Sequence, residues 1–182
     1  MSRRFAVVRS VPLLRSRVFS VERRTVSDES STFERDVVTH QGAVAVVAVN
    51  DAGEVGIICQ YRTPFDDVTW EIPAGTLDVP GEDALTAAQR ELREELGCSG
   101  ARWTLLGRFM VSPGWTDQVM TIYEARELTM VDRHPEGPEE GAATVHWLSL
   151  EQLRATFRDA AAFDATAALG LQWVFGNVLG HD

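Results

Sequence analysis

The chain has 182 residues, 45% of them apolar, and a formal net charge of −10. This length and apolar content suit one domain with an appendage and are sufficient for a sizeable core. The acidic balance leaves no basic stripe to neutralise phosphates, which argues against a nucleic-acid partner. An anionic substrate would therefore need a metal ion to dock on this chain.

The cysteines and the apolar stretches bear on the compartment. Cys59 and Cys98 lack metal-ligand spacing and are too few for a disulfide framework, so a reducing cytoplasm is expected. The longest apolar stretch, residues 43–49, is far shorter than a membrane span. The start of the chain lacks the continuous apolar core of a signal peptide. We expect a cytoplasmic protein without a membrane partner.

The predicted elements begin with residues 1–40, a segment that differs in character from the rest. It holds much of the basic charge and has β-rich pieces at 5–8 and 18–26. These features predict a small N-terminal β-sheet.

Residues 41–182 are predicted to form the main domain. Residues 50–53 are expected to turn the chain between a buried strand at 43–49 and its returning partner at 55–61, as a β-hairpin. The later elements expected are a strand at 70–72, a turn at 73–75, a helix at 82–96, strands at 103–109 and 119–126, a polar loop at 131–141, a strand at 143–148, and helices at 150–158 and 164–178. This order predicts an α/β (α+β) fold, with a mixed sheet in an α/β/α sandwich.

The helix expected at residues 82–96 has start and stop signals. Glu82 and Asp83 place negative charge at its N-terminus, and Gly97 follows as a C-terminal cap. At about 100° per residue, one stripe of the helix is apolar and is expected to be buried. The stripe consists of Leu85, Ala88, Leu92 and Leu96.

Glu91, Glu94 and Glu95 crowd another part of the same helix. Such carboxylates repel one another unless a cation lies between them, and all-oxygen ligands favour Mg²⁺ or Mn²⁺. Arg90 is turned away by about 100° and is expected to bind a carboxylate instead of the metal. Acidic, leucine-striped helices are also common on solvated surfaces, so the helix alone leaves both interpretations open.

The run from Gly75 to Cys98 resembles the Nudix box, G-x5-E-x7-R-E-U-x-E-E-x-G-U, where U is aliphatic. It departs from the box in two places, because six residues separate Gly75 from Glu82 and Cys98 replaces the last aliphatic residue. The extra residue lies in the loop before the helix and leaves the helical carboxylates in register. The matching positions are Glu82, Arg90, Glu91, Leu92, Glu94, Glu95 and Gly97.

The resemblance implies the Nudix fold over roughly residues 40–180 and a divalent cation, Mg²⁺ with Mn²⁺ as a substitute. It implies metal binding by Glu91 and Glu95, with Glu94 as a third ligand and Glu82 as a supporting carboxylate. Glu94 and Arg90 are also candidate catalytic groups. The implied reaction is attack of water on a diphosphate, since a metal ion acidifies the water and neutralises the phosphates.

Three segments outside the box resemble the ADP-ribose pyrophosphatase subgroup: residues 60–62, 70–75 and 112–114. The resemblance implies that the backbone carbonyl of Ala74 joins the metal ligands and that Arg62 contacts the diphosphate, which suits a guanidinium. It also implicates Pro113 and Gly114 in substrate binding. A surface arginine and an ordinary turn are the plainer alternatives for these positions.

In the resembled enzymes the catalytic base lies on a loop after the box. The matching loop, residues 132–141, offers Glu136, Glu139 and Glu140. Glu139 or Glu140 is the expected base, because both stand just before the next strand. The rest of this acidic loop is expected to be solvated.

The residues that would recognise the adenine base are harder to predict from the sequence. Trp70, Trp115 and Phe65 are candidates for stacking on adenine, although large aromatic residues are also common in cores. Phe33 and Arg35 lie in the N-terminal segment. The resemblance implies that this segment pairs across a homodimer and helps to shape the partner's nucleoside pocket.

Taken together, these features predict a Mg²⁺-dependent hydrolase that splits ADP-ribose into AMP and ribose 5-phosphate. Another nucleotide sugar, such as GDP-mannose or ADP-glucose, is the first alternative, since the box reads only the diphosphate. A non-catalytic nucleotide sensor of the same fold would typically have a degraded box. An isomerase of this fold would need a well-placed catalytic cysteine, which neither cysteine provides.

Overall fold

The computed structural model describes residues 4–159, 163–176 and 178. The positions outside the described residues include the start of the predicted N-terminal segment and the end of the predicted main domain. One of them, residue 177, belongs to the predicted C-terminal helix. In chain order the elements are β1 (Ala6–Arg15), β2 (Phe19–Ser27), β3 (Thr32–His40), β4 (Ala43–Ala48), β5 (Val55–Arg62), β6 (Asp67–Glu71), β7 (Ala74–Thr76), α1 (Ala84–Leu96), β8 (Cys98–Met110), β9 (Val119–Met130), α2 (Gly137–Ala142), β10 (Thr144–Leu148), α3 (Leu150–Asp159) and α4 (Ala165–Phe175).

The chain divides into two units by its internal contacts. The first unit comprises Met1–Gly42 and Phe109–Met120, and the second comprises Ala43–Arg108 and Thr121–Asp182. No helix among the described residues is both long enough and apolar enough to cross a bilayer.

The first unit contains an antiparallel sheet in the order β1-β2-β3. Pro12 lies in the edge strand β1. Its missing N–H is tolerated there, because an edge strand pairs with a neighbour on one side only. At the other edge, Val38 of β3 donates its N–H to Trp115 O at 2.8 Å and accepts from Asp117 N at 3.2 Å. The predicted N-terminal sheet is confirmed. β3 was not predicted because its first half is polar and charged.

The second unit is organised around β4, all of whose residues are buried. Val44 and Val46 belong to the same buried cluster as Leu92 of α1. The intervening Val47 faces α4, because a Cβ added at Gly170 would lie 2.8 Å from its Cγ2. Successive side chains of a strand point to opposite faces, so β4 is covered by helices on both sides. The predicted α/β/α arrangement is confirmed.

The predicted β-hairpin is wrong in its pairing, although its turn is present. Asn50 donates its N–H to Glu54 O at 3.0 Å, and an isolated bridge joins Val49 to Val55. Beyond this bridge the strands separate into two sheets, with orders β7-β4-β9-β8 and β10-β5-β6. Local turn chemistry indicates where the chain reverses but not which distant strand becomes the partner.

Two other predictions also change. The turn expected at residues 73–75 is largely the short strand β7, which pairs antiparallel with β4 so that Ala74 is opposite Ala45. The loop expected at 131–141 contains α2, which begins at Gly137 with a proline at its N-terminus. Both elements are very short, and periodicity is weak over so few residues. The remaining predicted strands and helices are observed with shifted ends.

Candidate active site

Helix α1 presents the box carboxylates, and its ends have defined caps. Asp83 is the N-cap, and its Oδ1 accepts from Thr86 N at 2.8 Å. Gly97 ends the helix in the left-handed region with φ 65° and donates its N–H to Arg93 O. The helix begins after Glu82, which lies in a turn closed by its N–H to Val79 O at 3.1 Å. The predicted helix is therefore confirmed, but Glu82 lies outside it.

Arg90 hydrogen-bonds to three carboxylates of the box. Its Nε and Nη2 donate to Glu82 at 3.2 and 3.1 Å, and its Nη1 donates to Glu91 Oε1 at 2.6 Å and Glu94 Oε2 at 3.0 Å. The hydrogen bonds to Glu82 are the largest cause of the raised pKa of Arg90. The extra residue before Glu82 thus leaves this carboxylate within reach of Arg90.

Glu91 is buried against the backbone of Gly75. Glu91 is only 6% exposed. A Cβ added at Gly75 would lie 1.8 Å from Glu91 Oε1, so this place accepts only glycine unless the carboxylate moves. Burial raises the pKa of Glu91 to about 7, although Arg90 opposes the shift. This contact gives the first glycine of the box a physical reason.

Glu95 is 3% exposed and lies against the neighbouring residue, Ala74. Its Oε2 accepts from Ala74 N at 2.8 Å. Burial raises the pKa of Glu95 to about 8, and the charge of Glu91 adds to the shift, while the hydrogen bond from Ala74 opposes it. The two most buried carboxylates of α1 therefore flank one short stretch of backbone, Ala74 and Gly75.

The chemistry of this pair fits a hard divalent cation. Buried carboxylates cost free energy when charged unless they are paired, and a cation bound by Glu91 and Glu95 would replace the protons that their raised pKa values favour. In the part of the chain that the structure describes, no three or more His, Cys, Asp or Glu side chains are arranged to hold a metal ion. An ion at this pair would need further oxygen ligands from backbone, water or substrate, as Mg²⁺ commonly has.

Arg62 is held in a buried polar network through Glu71. Its Nε and Nη2 donate to the two oxygens of Glu71 at 2.8 and 2.5 Å. Glu71 also accepts from Gln60 Nε2 at 3.1 Å and from the hydroxyl of Thr69. Burial would raise the pKa of Glu71, but these hydrogen bonds, above all those of Arg62, lower it overall. The charge of Glu95 contributes to the raised pKa of Arg62, after the hydrogen bonds to Glu71.

Glu71 was not singled out by sequence reasoning, which gave it no role. A signal was available, because this carboxylate lies between the large apolar residues Trp70 and Ile72 at the end of a strand. An acidic residue in such a place needs buried partners.

The two candidate bases on α2 have different neighbours. Glu139 accepts from the hydroxyl of Thr63 at 2.8 Å, and its charge contributes to the raised pKa of Arg62. Glu140 accepts from Glu136 N at 2.6 Å through Oε2. The two candidate bases that the sequence left open therefore face different parts of the protein, and Glu139 faces the end of β5.

Glu140 acts on the carboxylates of α1. Burial is the largest cause of the raised pKa of Glu91, Glu94 and Glu95, and the charge of Glu140 adds to the shift in all three cases. The charge of Glu136 also adds to the raised pKa of Glu94. Of the two candidate bases, Glu139 is hydrogen-bonded to Thr63, whereas the charge of Glu140 reaches the carboxylates of α1.

Trp70 lies in the second unit and is half-buried. Its ring packs on His146, with ring centroids 5.1 Å apart. Its carbonyl accepts from Asp164 N at 3.4 Å. The structure therefore gives Trp70 a packing partner within the protein.

Four other candidates for substrate binding, Phe33, Arg35, Pro113 and Gly114, lie in the first unit. The Arg35 guanidinium lies over the Phe33 ring, 4.6 Å from its centroid. Pro113 and Gly114 form an exposed turn closed by a hydrogen bond from Trp115 N to Ser112 O at 3.1 Å.

Comparison with known proteins identifies the family. The NUDIX domain model matches residues 39–169. An ADP-ribose pyrophosphatase of Mycobacterium tuberculosis is 36% identical over 149 residues, covering 81% of this chain and 72% of that protein. An ADP-ribose pyrophosphatase of Bacillus subtilis is 34% identical over 141 residues, covering 78% and 76%.

A solved structure described as an ADP compounds hydrolase matches with a TM-score of 0.79 at 23% identity, covering 94% of this chain and 92% of that one. At this identity the match shows the fold alone. The chain is an enzyme of the hydrolase class, built on an acidic helix and a mixed sheet. It belongs to the Nudix family, and the resemblance predicted from the box is confirmed.

Proposed function

We propose that this Nudix hydrolase uses Mg²⁺ to split ADP-ribose into AMP and ribose 5-phosphate. The observation that carries the proposal is the placement of two buried carboxylates, Glu91 and Glu95, against the backbone of Ala74 and Gly75. Support for the substrate comes from the relatives of this name at 36% and 34% identity.

Glu91 and Glu95 would hold the cation with the carbonyl of Ala74, and Glu94 would become a third carboxylate ligand by turning toward the ion from its hydrogen bond with Arg90. When bound there, Mg²⁺ or a substituting Mn²⁺ would acidify a water molecule and neutralise the diphosphate. Arg90 keeps Glu82 and Glu94 in place through its hydrogen bonds. The arginine also offsets the mutual repulsion of these carboxylates while the site is being filled.

Arg62 is the proposed contact for the diphosphate. A guanidinium suits paired phosphate oxygens, and Glu71 restricts its orientation through two hydrogen bonds. The positive charge of Arg62 lowers the pKa of Glu95, against the larger effect of burial. A diphosphate bound at the cation would therefore lie near the Arg62 side chain.

Glu140 is the proposed base, in preference to Glu139, because Glu139 is hydrogen-bonded to Thr63 at the end of β5, whereas the charge of Glu140 acts on Glu91, Glu94 and Glu95. In the reaction, the water oxygen forms a bond to one phosphorus while that phosphorus loses its bond to the bridging oxygen. Glu140 takes the proton of the water, and the leaving phosphate keeps the bridging oxygen.

The assembly belongs to the same proposal. We propose a cytoplasmic homodimer in which residues 41–182 form the hydrolase domain, while the N-terminal segment, residues 1–40, pairs across the dimer and helps to shape the nucleoside pocket of the partner. Phe33 and Arg35 present an aromatic ring and a guanidinium on one strand, which suits a nucleoside and its phosphate. Pro113, Gly114 and Trp70 are the remaining proposed substrate contacts.

A substrate panel tests the function. The purified enzyme is given ADP-ribose, ADP-glucose, GDP-mannose and other nucleoside diphosphate derivatives with Mg²⁺ or Mn²⁺ in ¹⁸O-labelled water, and both products are followed. We expect the highest kcat/KM for ADP-ribose, products AMP and ribose 5-phosphate, and label in one of them. Preference for GDP-mannose would overturn the substrate, and turnover of none would overturn the function.

A further inference from the structure

Helix α2, which carries Glu139 and Glu140, is not positioned by burial. None of its residues is buried, and its N-cap residue, Glu136, makes no side-chain capping hydrogen bond. A six-residue helix of this kind is too short to be stable by itself. Something outside the helix must therefore hold it.

Arg133 supplies the contacts at the C-terminal end of α2. Its Nη2 donates to Glu140 O at 2.8 Å and its Nη1 donates to Ala143 O at 3.2 Å. Carbonyls at a helix C-terminus lack intrahelical partners, and a positive charge there is favourable. The planar fork of arginine reaches two carbonyls at once, which the single ammonium of lysine does less well.

The backbone around Arg133 lies against the C-terminal cap of α1. Val131 donates its N–H to Gly97 O at 2.8 Å. A Cβ added at Gly97 would lie 3.2 Å from the Cβ of Arg133 and 3.0 Å from Val131 O. The residue that holds α2 is therefore packed on the end of the helix that presents Glu91 and Glu95.

The Nε of Arg133 is buried and has no hydrogen-bond partner among the described residues. A buried donor without a partner costs free energy. The hydrogen bonds of this guanidinium are made by its two Nη atoms.

We propose that Arg133 is a positioning residue for the reaction, which sets the place of Glu140 relative to the carboxylates of α1. The inference rests on the proposed function, because Glu140 is the base only in that reaction. Arg133 itself acts through the main chain of Glu140 and Ala143 and touches no reacting atom.

A double-mutant cycle tests this role. R133A, E140Q and the double variant are compared for ADP-ribose hydrolysis with Mg²⁺. A misplaced catalytic group costs up to about 100-fold in rate, so we expect R133A to lower kcat by about 10- to 100-fold with KM nearly unchanged. In the E140Q background R133A should lower kcat by less than about twofold, because the positioned group is already missing. R133K should recover part of kcat.

Arg102 offers a matched control, because it is exposed and pairs with Glu127 at 3.1 Å, on the side of the chain's surface that carries no proposed site residue. R102A should keep the wild-type kcat. Wild-type kcat in R133A, or an equal fall in the wild-type and E140Q backgrounds, would overturn the positioning role.

Hydrogen exchange provides a test that does not depend on turnover. The amides of α2 should exchange faster in R133A than in wild type or R102A, while those of α1 stay protected. Unchanged exchange in α2 would overturn the proposal even if the wild-type enzyme cleaved no compound of the panel. Inactivity of the wild type with faster exchange in R133A would overturn the proposed function and Arg133's role in the reaction, and would leave only the finding that Arg133 holds α2.

Discussion

At the residue scale, the proposed chemistry depends most on Glu95. Its carboxylate is the most buried of the box, it accepts from the backbone of Ala74, and its pKa is raised to about 8. A neutral side chain of the same shape would keep the hydrogen bond from Ala74 and lose the negative charge. The charge and the shape of this residue can therefore be separated by experiment.

The variant E95Q should lose nearly all turnover while remaining folded. Metal ions supply several kcal/mol of transition-state stabilisation, so removal of a ligand should lower kcat by about 100-fold or more. Steady-state hydrolysis and circular dichroism measure the two effects. E127Q, at an exposed position, is the control and should keep wild-type kcat. A wild-type rate in E95Q would reduce Glu95 to an ordinary buried helix residue.

Gly75 is the second residue on which the site depends, because its missing Cβ leaves room for the Glu91 carboxylate. In G75A the side chain of Glu91 has to swing away and lose its hydrogen bond with Arg90. We expect a loss of about 1–3 kcal/mol in the free energy of unfolding. The displaced carboxylate should lower kcat by about 100-fold.

G141A is the matched control for stability, because a Cβ at Gly141 meets nothing within 4 Å. Its thermal midpoint should not fall below that of wild type. A G75A enzyme with wild-type kcat would show that the reaction does not need Glu91 in its observed place.

At the element scale, α1 has two opposing requirements. Ala88, Leu92 and Leu96 of its predicted apolar stripe pack in one buried cluster with β4, whereas Leu85 is only half-buried. Burial of Glu91 and Glu95 on the same helix raises their pKa values to about 7 and about 8, so without a cation the helix is most stable with both protonated. The helix thus couples packing, proton binding and metal binding.

The stability of the metal-free protein should fall as the pH rises. The pKa values of Glu91 and Glu95 lie above their ordinary value of 4.5. Proton binding by these two carboxyls therefore stabilises the folded state fully below about pH 4.5, and this stabilisation is lost as the pH rises through 7 and 8. In EDTA we expect the thermal midpoint to fall by about 5 °C or more between pH 6 and pH 8.

Two comparisons bear on the cause of this fall. E95Q should show a smaller fall, because one of the two titrating carboxyls is gone. Mg²⁺ should raise the midpoint more at pH 8 than at pH 6, since protons compete with the cation. A flat midpoint in EDTA would contradict the raised pKa values.

At the scale of the whole molecule, the first unit carries several exposed apolar side chains. A three-stranded sheet ordinarily needs a second layer to bury one face. Exposed apolar side chains of this kind mark interaction surfaces. On the N-terminal sheet and its loops they are Phe5, Val7, Val8, Leu13, Leu14, Val18 and Phe19.

The proposed homodimer predicts that a charge on this sheet separates the protomers. Leu14 and Leu105 are exposed to the same degree, 52% and 53%, and only Leu14 lies on the N-terminal sheet. In light scattering after size exclusion, wild type and L105E should have twice the monomer mass, and L14E should shift toward the monomer. A wild-type monomer, or equal dissociation of both variants, would contradict the assembly.

Much of the fold could be predicted because its signals are local. The caps at Asp83 and Gly97 and the apolar stripe of α1 act within a few residues, so the helix was placed to within two residues of its start. The pairing of β4 was not predicted correctly, because a buried apolar strand followed by a good turn is also typical of a hairpin. Its true partners, β7 and β9, are separated from it in sequence, and nothing within the strand identifies them.

By itself, the sequence determined which residues form the acidic helix and that the chain belongs to the Nudix family, because spacing along one helix needs no knowledge of distant contacts. Only the tertiary structure decided that Gly75 lies against Glu91, that Glu71 holds Arg62, and that Arg133 donates to the carbonyl of Glu140. These contacts join different elements. They depend on the order of strands in the sheets, which is set by burial of the whole core and not by any short segment.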